Sequence, residues 1–241
     1  MPKLKVVIPK GRIYENVARL FNDAGFGLEV DERVYIPRVD DPELEAKIMK
    51  PQNIPQLVEL GSHDIGFTGH DWIVETQADV TEMLDLKFDP VKIVAAIPEQ
   101  LLTSDLHQRK LVVASEYETI ARRFLEKEKY QYVLLRTYGA TEVFPPDDAD
   151  MIIDNISTGR TLQEHNLHII ATLMESSTRF IVNKKALEDP WKSEKIGKMK
   201  MLFQSVLDAR ERVMLEMNVP QEKFEAIVKV LPCMRSPTVA P

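Results

Sequence analysis

The chain has a single cysteine, Cys233, among 241 residues. One thiol excludes a disulfide framework within the chain and suits a reducing cytosol. There is no excess of positive charge either: 31 Lys and Arg stand against 38 Asp and Glu, a formal charge of −7. A general nucleic-acid binder needs a basic field, so any polyanionic ligand has to be met by local donors. No apolar run reaches the roughly 20 residues of a membrane span. The N-terminus, ending in Val6-Val7-Ile8-Pro9-Lys10, lacks the apolar core of a signal peptide. The expectation is a soluble, cytoplasmic, globular protein with no nucleic-acid or membrane partner. Its length allows one large domain or two of ordinary size.

Several motifs are also missing. No G-x-x-x-x-G-K-[ST] occurs, which removes a Walker-type nucleotide site. Gly25-Phe26-Gly27 follows a predicted helix, not a strand, so it is no dinucleotide fingerprint. His165 and His168 have the i, i+3 spacing of metal ligands, but no third His or Cys lies nearby in sequence. No metal-ligating residue is assigned. Cys233 follows Pro232 and has no activating neighbour, so it reads as an ordinary thiol.

What remains is an alternation of strands and helices. Leu4 to Ile8 is a short apolar strand ended by Pro9-Lys10-Gly11-Arg12. Ile13, Val17, Leu20, Phe21 and Ala24 then recur at helical spacing, and Gly25 stops the helix. Residues 51–61 read as a second helix, and Asp64 to Phe67 as a strand leading through Thr68-Gly69 into a helix at Trp72. The β-branched strand 91–97 would complete a first lobe. Residues 98–110 form a polar crossover and a boundary. Strand 111–114, helix 117–129, strand 132–135, strand 150–154 and the run 167–173 would build a second lobe. Strand 179–183 could lead back into the first. A long helix from Trp191 to about Met217 carries Leu202, Val206, Ala209, Val213 and Met217 on one face, and a shorter helix spans 223–230. The predicted division is 1–98 plus about 184–241 for lobe I, and 99–183 for lobe II.

Two places carry candidate chemistry. Lys10-Gly11-Arg12 lies where a strand ends and a helix begins, the position at which ligands gather in open α/β sheets. Two cations there oppose the helix dipole, a local cost that favours a functional reading. The second place is Asp150 to Leu162, in which the strand 151–153 is bracketed by Asp150 and Asp154 and followed by Ser157-Thr158-Gly159-Arg160-Thr161. Such a loop can turn backbone N–H groups and hydroxyls on a phosphate. The carboxylates suit ribose hydroxyls or hydrated Mg²⁺, and Gly159 would let the backbone approach the ligand. A solvated turn with Ser157 or Thr158 capping a helix fits the same residues equally well. Asp64-Ile65-Gly66-Phe67-Thr68-Gly69 echoes this stretch, which suggests two similar lobes facing a shared cleft.

Taken in order, Pro9-Lys10-Gly11-Arg12, Gly66 to Asp71, and Asp150 to Leu162 resemble the ATP phosphoribosyltransferase family. The likeness extends over the whole chain, with Asp41 to Leu44, Pro51 to Pro55, Gly139 to Glu142 and Ser176 to Asn183 as supporting pieces. The resemblance implies an α/β fold of two lobes like a type II periplasmic binding protein, with the active site in the interlobe cleft. It implies transfer of phosphoribosyl from phosphoribosyl pyrophosphate to N1 of ATP, with release of pyrophosphate, as the first step of histidine biosynthesis.

Lys10 and Arg12 would be catalytic. Asp150, Asp154, Ser157, Thr158, Gly159, Arg160 and Thr161 would bind phosphoribosyl pyrophosphate. Gly11, Arg33, Lys50, Thr68, Gly69 and Asp71 would meet ATP and pyrophosphate. Mg²⁺ would be carried mainly by substrate phosphates, and a homodimer would be the minimum unit, with a larger assembly or a separate regulatory subunit also compatible. Lys50 departs from the family's usual Arg, keeping the charge but losing the planar fork. Residues 231–241 resemble the junction that precedes a histidine-binding domain in long-form members, so histidine is expected not to inhibit the 241-residue chain. A non-catalytic two-lobe binding protein or regulatory paralogue is the alternative.

Overall fold

The structure, a computed structural model, describes residues 2–29, 34–210 and 217–230. Arg33, Val213 and Cys233 lie outside the described residues. Ten strands alternate with seven α-helices in what is described. The first strands are β1 (Leu4–Pro9), β2 (Leu44–Met49), β3 (Ile65–Gly69) and β4 (Thr81–Asp85). Then come β5 (Val91–Pro98), β6 (Lys110–Ser115), β7 (Gln131–Arg136), β8 (Met151–Ile156), β9 (Leu167–Ser176) and β10 (Thr178–Val182). The helices are α1 (Arg12–Asp23), α2 (Ile54–Glu59), α3 (His70–Thr76), α4 (Glu118–Lys127), α5 (Arg160–Glu164), α6 (Pro190–Arg210) and α7 (Phe224–Val230).

The strands form two five-stranded sheets with the orders β2-β1-β3-β10-β4 and β7-β6-β8-β5-β9. Each sheet has three parallel strands followed by an antiparallel one, β10 against β3 in the first and β5 against β8 in the second. The two sheets therefore exchange strands. Strand β5, expected to complete the first lobe, pairs with β8 and β9 in the second sheet. Strand β10, expected within residues 99–183, pairs with β3 and β4 in the first. The crossovers thus fall at 86–90 and at Ser177 rather than at 98 and 183. Ile93 to Ile97 are buried on both faces, and a strand of that kind reads the same whichever sheet takes it.

The pattern also hid β2 and β4, which sequence reading left unassigned. Both are edge strands, and β2 alternates buried and exposed residues over only six positions. Helix α6 differs as well. Its buried stripe is Ile196, Met199 and Phe203, while Leu202 of the expected stripe is exposed. Apolar residues recur around much of this helix, so its periodicity fits two faces. Phe203 packs in an aromatic cluster with Phe21, Phe26, Phe67 and Phe180, at ring-centroid distances of 5.3, 5.7, 5.9 and 5.6 Å. Truncating such a ring costs roughly 3–5 kcal/mol. Residues 208–241, expected to belong to lobe I, form a compact unit of their own, separate from 1–207.

Helix α3 braces the two sheets. Ile73 packs in one direction against Val7, Ile54, Val58 and Ile181 of the first. Trp72 points the other way into the second core and stacks on Tyr117 at 4.5 Å. Glu75 accepts hydrogen bonds from the N–H groups of Thr119 and Ile120, at 2.9 and 3.0 Å, and so satisfies donors left free at the start of α4.

Candidate functional site

The C-terminal ends of the parallel strands β1, β3, β6 and β8 deliver four turns: Lys10 to Arg12, Gly69 to Asp71, Ser115 to Tyr117, and Asn155 to Gly159. This is the edge at which open α/β sheets bind ligands. A pocket of about 180 Å³ takes its wall from both sheets, from Arg12, Gly69 and Asp71 on one side and Tyr117, Asn155 and Ser157 on the other. Asn155 and Ser157 also line a pocket of about 360 Å³ over the 157–161 loop. Trp72 and Glu116 join these spaces to a groove of about 510 Å³ that contains Lys50, Gln52 and Arg136.

The loop after β8 leaves backbone donors free, as an anion site would need. Among the described residues, the N–H groups of Thr158 and Gly159 donate to no carbonyl. Gly159 has φ 75°, and a Cβ there would come no closer than 3.9 Å to Ile156 Cδ1. Conformation requires the glycine, and space does not. Ser157, Thr158 and Thr161 line the pocket with Gly159. Arg160 instead turns outward, 83% exposed, with Nε 2.8 Å from Glu164 Oε1.

Asp154 sits beside the loop with Glu116 and Glu142 in the same pocket. Its carboxyl is pushed up to about 6, chiefly by burial. The Asn155 N–H and the Thr141 hydroxyl work against that rise, and the charges of Glu116 and Glu142 add to it. An acid of this kind gains when hydroxyl donors arrive.

Asp150 does not join it. It precedes β8, at the far end of the strand from the loop, where Oδ2 accepts the Val112 N–H at 2.8 Å and Oδ1 pairs with Arg109. Asp64 does the same before β3: Oδ2 accepts the Lys5 N–H at 2.8 Å and Oδ1 pairs with Lys192 at 2.7 Å. The sequence echo is thus structural. Each acid clamps the central strand of its own sheet.

The remaining candidates divide. Lys10 Nζ stands 5.2 Å from the ring centroid of Tyr35. Arg12 Nε is 3.0 Å from Asp89 Oδ1, while the residue's side chain stays 66% exposed. Gly11, with φ 84°, forms the turn between them. Lys50 lies in the large groove. Thr68 is fully buried and donates to the Pro51 carbonyl at 2.9 Å, so its hydroxyl is turned away from the cleft. A Cβ on Gly69 would come within 2.1 Å of Asp71 Oδ1, so this glycine makes room for Asp71. Asp71 is buried, and both carboxylate oxygens are occupied, by Ser176 Oγ at 2.6 Å and Tyr117 Oη at 2.8 Å.

Sequence reading missed Tyr117, Asn155, Ser176, Glu116, Glu142 and Arg136. Asn155, Ser176 and Glu142 stood within quoted motifs without being assigned a role, and Asn155, Ser176, Tyr117 and Asp71 come together only through contacts across more than 30 residues. Among the described residues no three His, Cys, Asp or Glu side chains are grouped to hold a metal ion directly.

Comparison with known proteins gives this geometry a family. Residues 50–205 match the family described as ATP phosphoribosyltransferase, and residues 209–241 match the HisG C-terminal domain. The ATP phosphoribosyltransferase of Chlorobium phaeovibrioides is 41% identical over 98% of this chain and 83% of its own length. That of Pelotomaculum thermopropionicum is 40% identical over 99% of this chain and 84% of its own. A solved ATP phosphoribosyl transferase (HisG:HisZ) complex from Thermotoga maritima superposes with a TM-score of 0.76 at 25% identity, covering 86% of this chain and 99% of that one. The substrate-binding protein of an amino acid ABC transporter shares the fold, with a TM-score of 0.51 at 12% identity over 86% of this chain and 94% of that one.

Proposed function

The chain belongs to the ATP phosphoribosyltransferase family, and on that premise we propose how its cleft divides the work of joining ATP to phosphoribosyl pyrophosphate. In the family's reaction, the opening step of histidine biosynthesis, N1 of ATP attacks C1′ of the sugar. The C1′–oxygen bond breaks, and pyrophosphate leaves with the electron pair. The adenine N1 lone pair is free at neutral pH, so no general base is needed. Catalysis then rests on positioning and on charge placed where charge develops.

The observation that carries the assignment is the 157–161 loop with its unpaired N–H groups, opening beside Asp154 and sharing Asn155 and Ser157 with the pocket that Arg12 lines. In this reading the loop holds the 5′-phosphate through Ser157, Thr158, Gly159 and Thr161. Asp154, with Glu142 and Glu116 near, meets the ribose hydroxyls and the positive charge that grows on C1′. Lys10 and the exposed edge of Arg12 stabilise the departing pyrophosphate, and Lys50 with Arg136 faces the ATP phosphates across the large groove. Mg²⁺ fits this donor set through its water shell, with Asp154, Glu116 and Glu142 the residues to meet those waters. When bound, it would neutralise the pyrophosphate. Asp150, Thr68, Gly69, Asp71 and Arg160 leave the proposed ligand set.

Among the described residues no helix is long and apolar enough to cross a membrane; we place the protein in the cytoplasm. We take a homodimer as its minimum unit; a second kind of subunit, as in the HisG:HisZ complex of Thermotoga maritima, fits the same reading, with a regulatory role for it part of this proposal. The binding-protein alternative shares only the fold, and fold does not fix function. The test is pyrophosphate release from ATP, phosphoribosyl pyrophosphate and Mg²⁺, with Lys10→Met as the control. Release by the unaltered chain, reduced roughly 10–150-fold in the variant as expected for losing about 1.5–3 kcal/mol to a charged group, supports the assignment. No release, or release indifferent to Lys10, overturns it.

A further inference from the structure

Asn155 is the exposed end of a polar chain whose other members, Tyr117, Asp71 and Ser176, are buried, and chemistry fixes its polarity. Asp71 is acceptor-only when ionised, so Ser176 and Tyr117 must both donate to it. The Ser176 oxygen in turn accepts the Asp71 N–H at 3.0 Å. Tyr117 has spent its one proton on Asp71, and burial together with the Asp71 charge holds that proton in place. Its oxygen can then only accept. The atom of Asn155 that faces it, at 3.1 Å, is therefore the NH₂ group.

A second neighbour requires the same orientation. Asp154 Oδ1, again an acceptor, lies 3.2 Å from Asn155 Nδ2 and 2.6 Å from the Asn155 N–H. Amide orientation is ordinarily an assignment rather than an observation, but here two acceptors on one side leave no choice. Asn155 Oδ1 is left without a partner among the described residues, on a residue that lines both the cradle pocket and the interlobe pocket. Open to solvent and held in one orientation beside the 157–161 loop, this acceptor is placed to receive a hydroxyl donor from a ligand.

We propose that Asn155 is a further specificity residue of this site, its Oδ1 accepting a ribose hydroxyl of phosphoribosyl pyrophosphate. Tyr117, Asp71 and Ser176 are positioning residues that set the amide. The assignment rests on the proposed function of the cleft. A purine amino group would satisfy the same acceptor; the ribose is favoured because Asn155 adjoins Asp154 and precedes the phosphate loop by two residues.

The experiment compares Asn155→Leu, Tyr117→Phe and the double variant in the pyrophosphate-release assay, varying each substrate in turn. Asn155→Leu should raise the KM for phosphoribosyl pyrophosphate about tenfold and leave the KM for ATP within about twofold. Tyr117→Phe keeps the ring on Trp72 but frees the amide, and should raise the same KM about threefold. The double variant should match Asn155→Leu alone, because the tyrosine acts through the amide. An ATP KM that moves instead, an unchanged phosphoribosyl pyrophosphate KM, or fully additive effects would overturn the inference. Thermal unfolding of all three, read alongside, separates a folding loss, which moves Tm without splitting the two KM values. Absence of turnover in the unaltered chain would sink the proposed function itself.

Discussion

Replacing Asp154 by Asn should cost activity and add stability, and the two effects have one cause. The carboxyl's pKa rises from 3.8 to about 6, with burial the largest contribution and the charges of Glu116 and Glu142 adding to it. At about 1.36 kcal/mol for each tenfold change in proton affinity, its ionised form costs the fold roughly 3 kcal/mol. About half of that survives once solvent at the pocket mouth is allowed for. Because the folded protein holds this proton more tightly than the unfolded chain, the group's contribution to stability falls as pH rises from about 4 to about 6. The penalty is complete above that window and absent below it. An amide carries no such charge, yet its carbonyl can still accept the Asn155 N–H. Urea unfolding should therefore find Asp154→Asn about 1.5 kcal/mol more stable than the parent at pH 8 and equal to it near pH 4. Pyrophosphate release at pH 8 should fall, since the developing charge on C1′ loses its counterpart. A variant destabilised by the same amount at both pH values would show that the carboxylate stabilises the fold, and the reasoning would fail.

Other perturbations probe the neighbouring parts. Gly159→Val asks a β-branched residue to adopt φ 75°, a conformation worth roughly 1–2 kcal/mol against it. The KM for phosphoribosyl pyrophosphate should rise at least about tenfold, roughly 1.4 kcal/mol, with ATP binding unchanged; unaltered kinetics would remove the loop from the site. Gly69→Ala places a Cβ 2.1 Å from Asp71 Oδ1 and should cost about 2–4 kcal/mol in chemical unfolding by separating a buried carboxylate from its donors. A loss below about 1 kcal/mol would mean that the turn relaxes freely. Light scattering at micromolar concentration should give a dimer mass, and a monomer would count against the proposed assembly.

Most elements of the fold can be read in the chain because each carries its own period. Residues 13–24 repeat at helical spacing, and the short apolar runs 4–8, 111–114 and 151–153 end at turn residues. Sheet membership cannot be read this way. The contacts that put β5 beside β8, and β10 beside β3, join residues about 60 and 110 positions apart, and nothing local to a strand buried on both faces encodes which partner it will find. Edge strand β2 was weakly signalled, and α6 had more apolar residues than one face needs.

The site shows the same limit from the other side. Sequence displays the backbone devices, such as the Lys10-Gly11-Arg12 turn and the 157–161 loop, because turns are local. It cannot separate a carboxylate that meets a ligand from one that holds a strand. Asp150 and Asp154 lie four residues apart on one strand, which carries them to its opposite ends. The strand's start receives the Val112 N–H and Arg109, and its end faces the cleft. The repetition of Asp64 and Asp150 before the third strand of each sheet's parallel trio was therefore evidence for a structural role. An acid that occurs at equivalent places in both halves of an internally similar fold does what both halves need. The cleft is lined unequally, and the acid without a counterpart in the echo, Asp154, is the one the 157–161 loop adjoins. Asp71 was read as a ligand from the resemblance carried by Gly66 to Asp71. It faces the right space, but Ser176 and Tyr117 consume both its oxygens, and what it delivers to the cleft is the orientation of an amide on the opposite sheet.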